Sequence, residues 1–136
     1  MIGEKTTWLI AIVDDDSSVQ IALQDLIESV GLTTLRFGSA EEFLDSGAQQ
    51  KAACLIADIR MPGMSGLELQ SKLHAERCRL PIIFITAHGD AKMRVQAMRN
   101  GAVEFLTKPF DNVVLLETVY AAVADYAKML RHWGRY

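Results

Sequence analysis

The sequence predicts an α/β fold in which one parallel sheet of five strands carries helices on both faces. Short apolar runs alternate with longer amphipathic segments along the whole chain. Runs that are apolar at every position indicate strands buried on both faces, as in parallel sheets covered by helices. The 136 residues suit a single domain. Parallel crossovers are right-handed, but periodicity alone leaves the strand order open.

Each strand is predicted from its own composition. The expected strands are Trp8–Val13, Thr33–Phe37, Ala53–Ala57, Ile82–Thr86 and Val103–Leu106. The second is β-branched and aromatic, which favours a strand. Pro81 precedes the fourth, and a proline is tolerated at the first position of a strand.

Capping residues predict where the intervening helices begin and end. The expected starts are Ser17 or Ser18, then Ser39, Ser65, Asp90 and Asp111. Ser39 with Glu42, and Ser65 with Glu68, form the capping-box pattern. The expected ends lie near Gly31, Gly47, Arg77, Asn100 and Arg131. On the last helix, the residues expected to face inward are Leu115, Leu116, Val119, Tyr120, Val123 and Ala127.

Composition excludes several classes of function. The net charge of −3 and the pI of about 5.6 argue against a nucleic-acid-binding surface. The apolar runs are far shorter than the roughly 18 residues of a membrane span. Lys5 is the only basic residue before the first apolar run, and that run ends at Asp14. A signal peptide needs a longer apolar segment after a positively charged start, so we expect none here and a cytoplasmic location. Cys54 and Cys78 match no metal-binding spacing, and we expect both to be structural or neutral.

Chemically active side chains follow four of the five strands. Asp14, Asp15 and Asp16 follow the first, Asp58 the third, Thr86 ends the fourth, and Lys108 lies just past the fifth. The carboxyl ends of parallel strands meet at one edge of the sheet, where ligands bind. Clustered carboxylates repel one another unless a cation joins them, and oxygen-only ligands favour Mg²⁺. Phosphoryl transfer needs positioning and charge neutralisation, so we expect a carboxylate nucleophile assisted by Thr86 and Lys108.

Four motifs resemble those of the receiver domains of two-component response regulators. They are Ile12–Asp16, Ala57–Gly66, Ile85–His88 and Leu106–Phe110, and the resemblance covers about residues 8–125. The Arg60–Gly66 loop is most similar to the FixJ-type subfamily, whose full-length members usually carry a DNA-binding helix-turn-helix. The resemblance implies a flavodoxin-like, CheY-like sheet of order 2-1-3-4-5. It also implies a receiver domain over residues 1–128, with 129–136 a C-terminal tail or linker remnant.

The same resemblance assigns roles to individual residues. Asp58 would be the phosphoacceptor, and Asp14, Asp15, Asp58 and the backbone carbonyl of Arg60 would bind Mg²⁺. Thr86 and Lys108 would hold the phosphoryl group, Phe105 would be the switch aromatic, and the Lys108–Pro109 peptide bond would be cis. The implied partners are a sensor histidine kinase and a second copy of the chain, which would dimerise through the helix 4–strand 5–helix 5 face on phosphorylation.

Other interpretations remain open at this stage. Asp16 fits an ordinary helix N-terminal acid, and Phe105 could serve packing alone. A haloacid-dehalogenase-like phosphatase would need an acid at the position of Arg60, which cannot act as a general acid or base near neutral pH. A flavodoxin-like FMN protein would need a neutral loop after strand 1, where this chain has three acids. A pseudo-receiver that only docks partners tends to lose an acid, the Thr or the Lys, and this chain keeps all of them.

Overall fold

The computed structural model describes residues 8–87 and 89–133. His88 and residues 134–136 of the predicted tail, together with the side chain of Trp133, lie outside the described residues. The strands are β1 (Leu9–Val13), β2 (Thr33–Phe37), β3 (Cys54–Ala57), β4 (Ile82–Thr86) and β5 (Glu104–Thr107). They form one all-parallel sheet in the order β2-β1-β3-β4-β5, which confirms the order that the resemblance implied.

Five α-helices cover the two faces of this sheet. They are α1 (Ser17–Glu28), α2 (Ala40–Ser46), α3 (Gly66–Ala75), α4 (Ala91–Arg99) and α5 (Asn112–Trp133). A short 3₁₀ turn at Ala48–Gln50, which periodicity does not reveal, follows α2. None of the helices in the described part of the chain is long and apolar enough to cross a membrane.

The core is divided between the two faces of the sheet because successive strand residues point in opposite directions. Ile10 and Ile12 of β1 pack with the apolar stripes of α1 and α5. Ala11 and Val13 of the same strand pack on the other face, with α2, α3 and α4. The central strands are therefore apolar at every position, as a doubly covered parallel sheet requires.

Helix starts depart from the sequence prediction in two places. Asp16, rather than a serine, is the N-cap of α1, and its carboxylate accepts hydrogen bonds from the amide and hydroxyl of Ser18. In α2, Ser39 accepts from the Glu42 amide, but the Glu42 carboxylate accepts from Gly38 instead of completing a capping box with Ser39. The full reciprocal box predicted at Ser65 and Glu68 is present in α3.

Two other expectations are corrected. The third helix ends at Ala75, and Arg77 follows with a left-handed backbone (φ +59°), which no helix can continue through. Tyr120 of α5 is exposed (49%), whereas Ala122 is fully buried. Ala122 lies two turns after Leu115 and on the same side of the helix as Leu115 and Val119, whereas Tyr120 is turned about 100° away from Val119 and lies outside that stripe.

Backbone hydrogen bonds extend the sheet past its carboxyl edge and fix the segments that carry the functional residues. The amide of Asp14 donates to Phe37 O (3.1 Å), and that of Asp58 donates to Val13 O (3.0 Å). The amide of Lys108 donates to Thr86 O (2.8 Å). These main-chain hydrogen bonds join β1 to β2, β3 to β1 and β5 to β4 just beyond the strand ends, without the help of side chains.

Candidate functional site

Lys108 joins two carboxylates at the carboxyl edge of the sheet. Its Nζ lies 3.0 Å from Asp14 Oδ2 and 3.0 Å from Asp58 Oδ2. All three side chains are largely withdrawn from solvent, with exposures of 19% for Lys108, 3% for Asp14 and 9% for Asp58. The sequence prediction that residues 14, 58 and 108 meet at one site is therefore matched by the structure.

Asp15 completes a cluster of three acids with Asp14 and Asp58. One carboxylate oxygen from each lies within 4.8 Å of the others. Asp14 and Asp58 are buried and Asp15 is exposed, so the cluster opens to solvent on the Asp15 side. Asp16 points away as the cap of α1 and is not part of this cluster.

Burial and the lysine act in opposite directions on the charge of Asp14. Burial raises the pKa of this carboxyl group above its usual range, although hydrogen bonds from the Asp16 amide and from Lys108 favour the ionised form. Burial acts to lower the pKa of Lys108, but hydrogen bonds to Asp14 and Asp58 raise it overall. The lysine therefore stays protonated, and one ammonium compensates part of the acidic charge.

Main-chain groups fix the orientation of the two buried acids. The Asp16 amide donates to Asp14 Oδ1 (2.9 Å), and the Arg60 amide donates to Asp58 Oδ1 (3.2 Å). Each acid thus offers one oxygen to a backbone amide and the other to Lys108. An acid oriented in this way does not need to search rotamers before it reacts.

Gln20 is a supporting residue that the sequence pattern did not reveal. From the first turns of α1, its Nε2 donates to Asp14 O (2.6 Å) and Phe37 O (3.2 Å). It therefore braces the backbone at the ends of β1 and β2. A polar residue on a helical surface is usually solvated, so only the three-dimensional contact identifies this role.

Thr86 lies on β4 and Phe105 on β5, the two strands that follow β3 in the sheet. Thr86 is buried (1% exposed) at the end of β4. Phe105 is also buried (3%), and its ring packs against Phe84, with centroids 6.5 Å apart. A Cβ placed on Gly89 would lie only 2.6 Å from Cε1 of Phe105 and 3.1 Å from Cγ2 of Thr86, so this glycine leaves the space that the ring fills.

The loop after β3 turns back tightly beside Asp58. The Gly66 amide donates to Ile59 O (2.8 Å), and a Cβ on Gly66 would overlap the carbonyl oxygen of Asp58. Only glycine permits this approach of α3 to the end of β3. The carbonyl of Arg60, expected as a metal ligand, belongs to the same loop.

The two cysteines play no part in this site. Cys54 is fully buried, and burial raises the pKa of its thiol to about 12. Cys78 is partly buried, and its thiol donates to Gln49 O (3.7 Å). Both are free thiols.

Comparison with known proteins identifies the family of the chain. The family model described as "Response regulator receiver domain" matches residues 10–120. The chain belongs to this family. Receiver domains act in two-component signalling and transcription control and are signalling proteins rather than conventional enzymes. The cis Lys108–Pro109 peptide bond, which the resemblance implied, is present.

Its relatives include proteins of the predicted subfamily. Nodulation protein W of Bradyrhizobium diazoefficiens is 47% identical over 86% of this chain and 52% of its own length. The transcriptional regulatory protein FixJ of Azorhizobium caulinodans is 41% identical over 88% of this chain and 57% of its own length. The chain therefore spans about half the length of the curated relatives it matches.

Solved structures give the same picture. The response regulator StyR superimposes with a TM-score of 0.87 and 42% identity, covering 93% of this chain and 64% of that one. The crystal structure of FixJ-N superimposes with a TM-score of 0.78 and 36% identity, covering 88% of this chain and 96% of that one. Receiver domains generally bind Mg²⁺ in an acidic pocket, and in this chain Asp14, Asp15 and Asp58 form a cluster of acids.

Proposed function

We propose that Asp58 accepts a phosphoryl group from a sensor histidine kinase and that this controls dimerisation and a transcriptional output. One observation carries the proposal. The Asp58 carboxylate is held between a buried ammonium and a backbone amide, within a cluster of acids at the carboxyl edge of the sheet. A buried acid with no role in chemistry would normally be paired once and left away from other carboxylates.

The donor set fits Mg²⁺. The three carboxylate oxygens of Asp14, Asp15 and Asp58 lie close enough together to reach one ion. Burial raises the pKa of Asp14, so the ionised carboxylate is not fully stabilised by its hydrogen bonds to Lys108 and the Asp16 amide. A second cation next to this carboxylate would stabilise its negative charge. The exposed side at Asp15 leaves room for the water ligands that Mg²⁺ retains. In this proposal Asp14, Asp15, Asp58 and the Arg60 carbonyl hold the metal, which supplies positive charge to the phosphoryl oxygens.

The chain's own residues account for the transfer step. An Asp58 carboxylate oxygen attacks the phosphorus of a phosphohistidine in line with the bond that breaks. The new O–P bond forms as the P–N bond breaks, and the imidazole leaves with the electron pair and gains a proton from solvent. Lys108 and Thr86 bind the phosphoryl oxygens and stabilise their charge. The chain thus catalyses only its own phosphorylation and dephosphorylation.

Phosphorylation would be transmitted through Thr86 and Phe105. Thr86 moves toward the phosphoryl group, and the ring of Phe105 turns into the space that it leaves. The face formed by α4, β5 and α5 then changes shape and binds a second copy of the chain or another partner. We place this switch in the cytoplasm. The switch is a population shift, set by the different affinities of partners for the two states.

The division of the chain into a receiver over residues 1–128 and a tail over 129–136 stays part of the proposal. In the structure α5 runs on through residue 129 to Trp133, so the proposed tail begins inside the helix. Transcriptional output is supported by the FixJ-type relatives, which extend beyond the part that this chain matches.

The proposal is tested by measuring the intact mass after incubation with acetyl phosphate and Mg²⁺. We expect a gain of one phosphoryl group, which is lost in Asp58→Asn and in EDTA. A folded chain that gains no mass under any of these conditions would contradict the proposal and favour a pseudo-receiver that only docks partners.

A further inference from the structure

The carboxylate of Glu41 on helix α2 accepts a hydrogen bond from the loop that follows Asp58. Glu41 lies in the first turn of α2, and its Oε2 accepts a hydrogen bond from the Met64 amide (2.9 Å). A Cβ on Gly63 would lie 2.7 Å from the same oxygen and 3.3 Å from the other, so the carboxylate rests directly on the loop backbone. Gly63 has a left-handed backbone (φ +78°). Backbone that turns in this way presents its amides to an anion.

This contact is a backbone hydrogen bond to the tip of the loop, in addition to the contacts that hold its base. The base of the loop is closed by the hydrogen bond from Gly66 N to Ile59 O (2.8 Å), and the helix beyond is capped by Ser65. The tip at Gly63 and Met64 is held from α2, across the gap between two helices. Met61 and Met64 also pack against the core, so the loop is held by apolar contacts as well, and Glu41 adds a directional hydrogen bond to its backbone.

The position of the loop affects Asp58 through the backbone of Arg60. The Arg60 amide donates to Asp58 Oδ1 (3.2 Å), and its carbonyl is the proposed metal ligand. A shift of the loop would therefore move one donor to Asp58 and one ligand at once. Both groups are backbone atoms, so only the course of the loop can place them.

We propose that Glu41 is a positioning residue for the phosphorylation site, acting through the loop from Arg60 to Met64 on Mg²⁺ binding and on the orientation of Asp58. The inference rests on the proposed function of Asp58. It gives α2, which contributes no residue to the acidic cluster, an indirect part in the chemistry through the loop backbone.

The chain offers a matched control on the same helical turn. The Glu42 carboxylate also accepts one backbone hydrogen bond, but from Gly38 (2.8 Å), which lies at the end of β2 and not in the loop. Glu41→Ala and Glu42→Ala thus each remove one charged side chain and one bond to a backbone amide. Glu41→Gln keeps an acceptor oxygen for Met64 and is the conservative variant.

The experiment titrates Mg²⁺ into the four unphosphorylated proteins and follows the amide NMR signals of Asp58 and Arg60. We expect Glu41→Ala to weaken Mg²⁺ binding by about fivefold, which is the size of effect that the loss of one typical hydrogen bond produces. Glu42→Ala should bind as the wild type does, and Glu41→Gln should recover most of the affinity. The rate of phosphorylation by acetyl phosphate should follow the same order.

Equal Mg²⁺ affinities in Glu41→Ala and the wild type, or an equal loss in Glu42→Ala, would overturn the inference. The wild type separates this outcome from failure of the proposed function. If the wild type gains a phosphoryl group and the variants do not differ, Glu41 has no positioning role. If the wild type gains none, the proposed role of Asp58 fails instead.

Discussion

Lys108 serves two buried acids at once, since it donates to Asp14 and Asp58 over equal distances of 3.0 Å. A single ammonium cannot fully compensate two carboxylates with a third nearby. The site is therefore left with excess negative charge when it holds no metal. This residual repulsion is the physical reason why the site should bind a cation.

Replacement of Asp14 tests this electrostatic description. Burial raises the pKa of Asp14 in the folded chain above the unfolded value of about 3.9. The folded chain therefore holds this proton more tightly, a contribution that is complete below the unfolded pKa and lost as pH rises through the folded pKa. At neutral pH the ionised acid lowers stability.

We accordingly expect Asp14→Asn to be more stable than the wild type in EDTA, by about 1 kcal/mol, or about 4 °C for a chain of this length. Asparagine keeps the oxygen that accepts from Asp16, and Lys108 keeps Asp58. Thermal unfolding should also show that Mg²⁺ raises the midpoint of the wild type but not of the variant. A lower midpoint in EDTA, or an unchanged response to Mg²⁺, would contradict the description.

Gly89 makes a second prediction at this scale. Its φ is not positive, so alanine is allowed by the backbone, but the new Cβ would press on the Phe105 ring at 2.6 Å. We expect Gly89→Ala to displace the ring and to cost about 1–3 kcal/mol, as overpacking does. Gly38→Ala is the control, because the nearest atom lies 4.0 Å away and its φ is likewise not positive. Equal thermal stability and unchanged Phe105 ring signals in both variants would refute the predicted contact.

At the scale of elements, α3 connects helix capping to the site. Its N-terminus is fixed by the reciprocal bonds of Ser65 and Glu68, while Gly66 presses against the end of β3. The cap therefore stabilises the helix and the loop that turns beside Asp58.

Removal of this cap gives a prediction for the whole element. Ser65→Ala should destabilise the chain by about 1 kcal/mol in denaturant unfolding. Ser71→Ala, at an exposed position on the same helix, should stay within about 0.5 kcal/mol of the wild type. Equal stability of the two variants would show that the cap contributes nothing.

The same elements show how far sequence reasoning extends. All five strands, and the meeting of Asp14, Asp58, Thr86 and Lys108 at one edge, follow from local patterns and the rule for parallel sheets. Sequence patterns could not reveal the hydrogen bond from Gln20 to the backbone at the strand ends or the one between Glu41 and the loop. Each of these bonds joins a helical side chain to backbone in another segment of the chain. Tyr120 was wrongly predicted to face inward because the buried side of α5 is set by how the helix packs on the sheet, and that side runs through Leu115, Val119 and Ala122.

For the whole molecule, the face formed by α4, β5 and α5 carries exposed apolar side chains that suit an interface between two copies. Val95 (53% exposed) and Met98 (38%) are on α4 and Tyr120 (49%) is on α5, and an ion pair joins Arg94 of α4 to Glu104 of β5 (3.4 Å). Large apolar residues that cluster on a surface are typical of interaction sites.

We expect Val95→Glu to prevent dimerisation of the phosphorylated chain without reducing its phosphoryl content. Light scattering after gel filtration measures the mass, and intact-protein mass spectrometry measures phosphorylation. Ile21→Glu, at a residue of similar exposure (47%) on α1, should dimerise as the wild type does. Dimerisation of phosphorylated Val95→Glu would place the interface elsewhere.

The most direct test of the central claim is to locate the phosphoryl group. The chain would be phosphorylated with acetyl phosphate and Mg²⁺, reduced with borohydride, digested and mapped by mass spectrometry. Borohydride reduces an aspartyl phosphate to homoserine and leaves free carboxylates unchanged. We predict homoserine at position 58 and at no other aspartate, and none in a sample without acetyl phosphate. Homoserine at Asp14 or Asp15, or its absence throughout, would contradict the assignment of Asp58 as the phosphoacceptor.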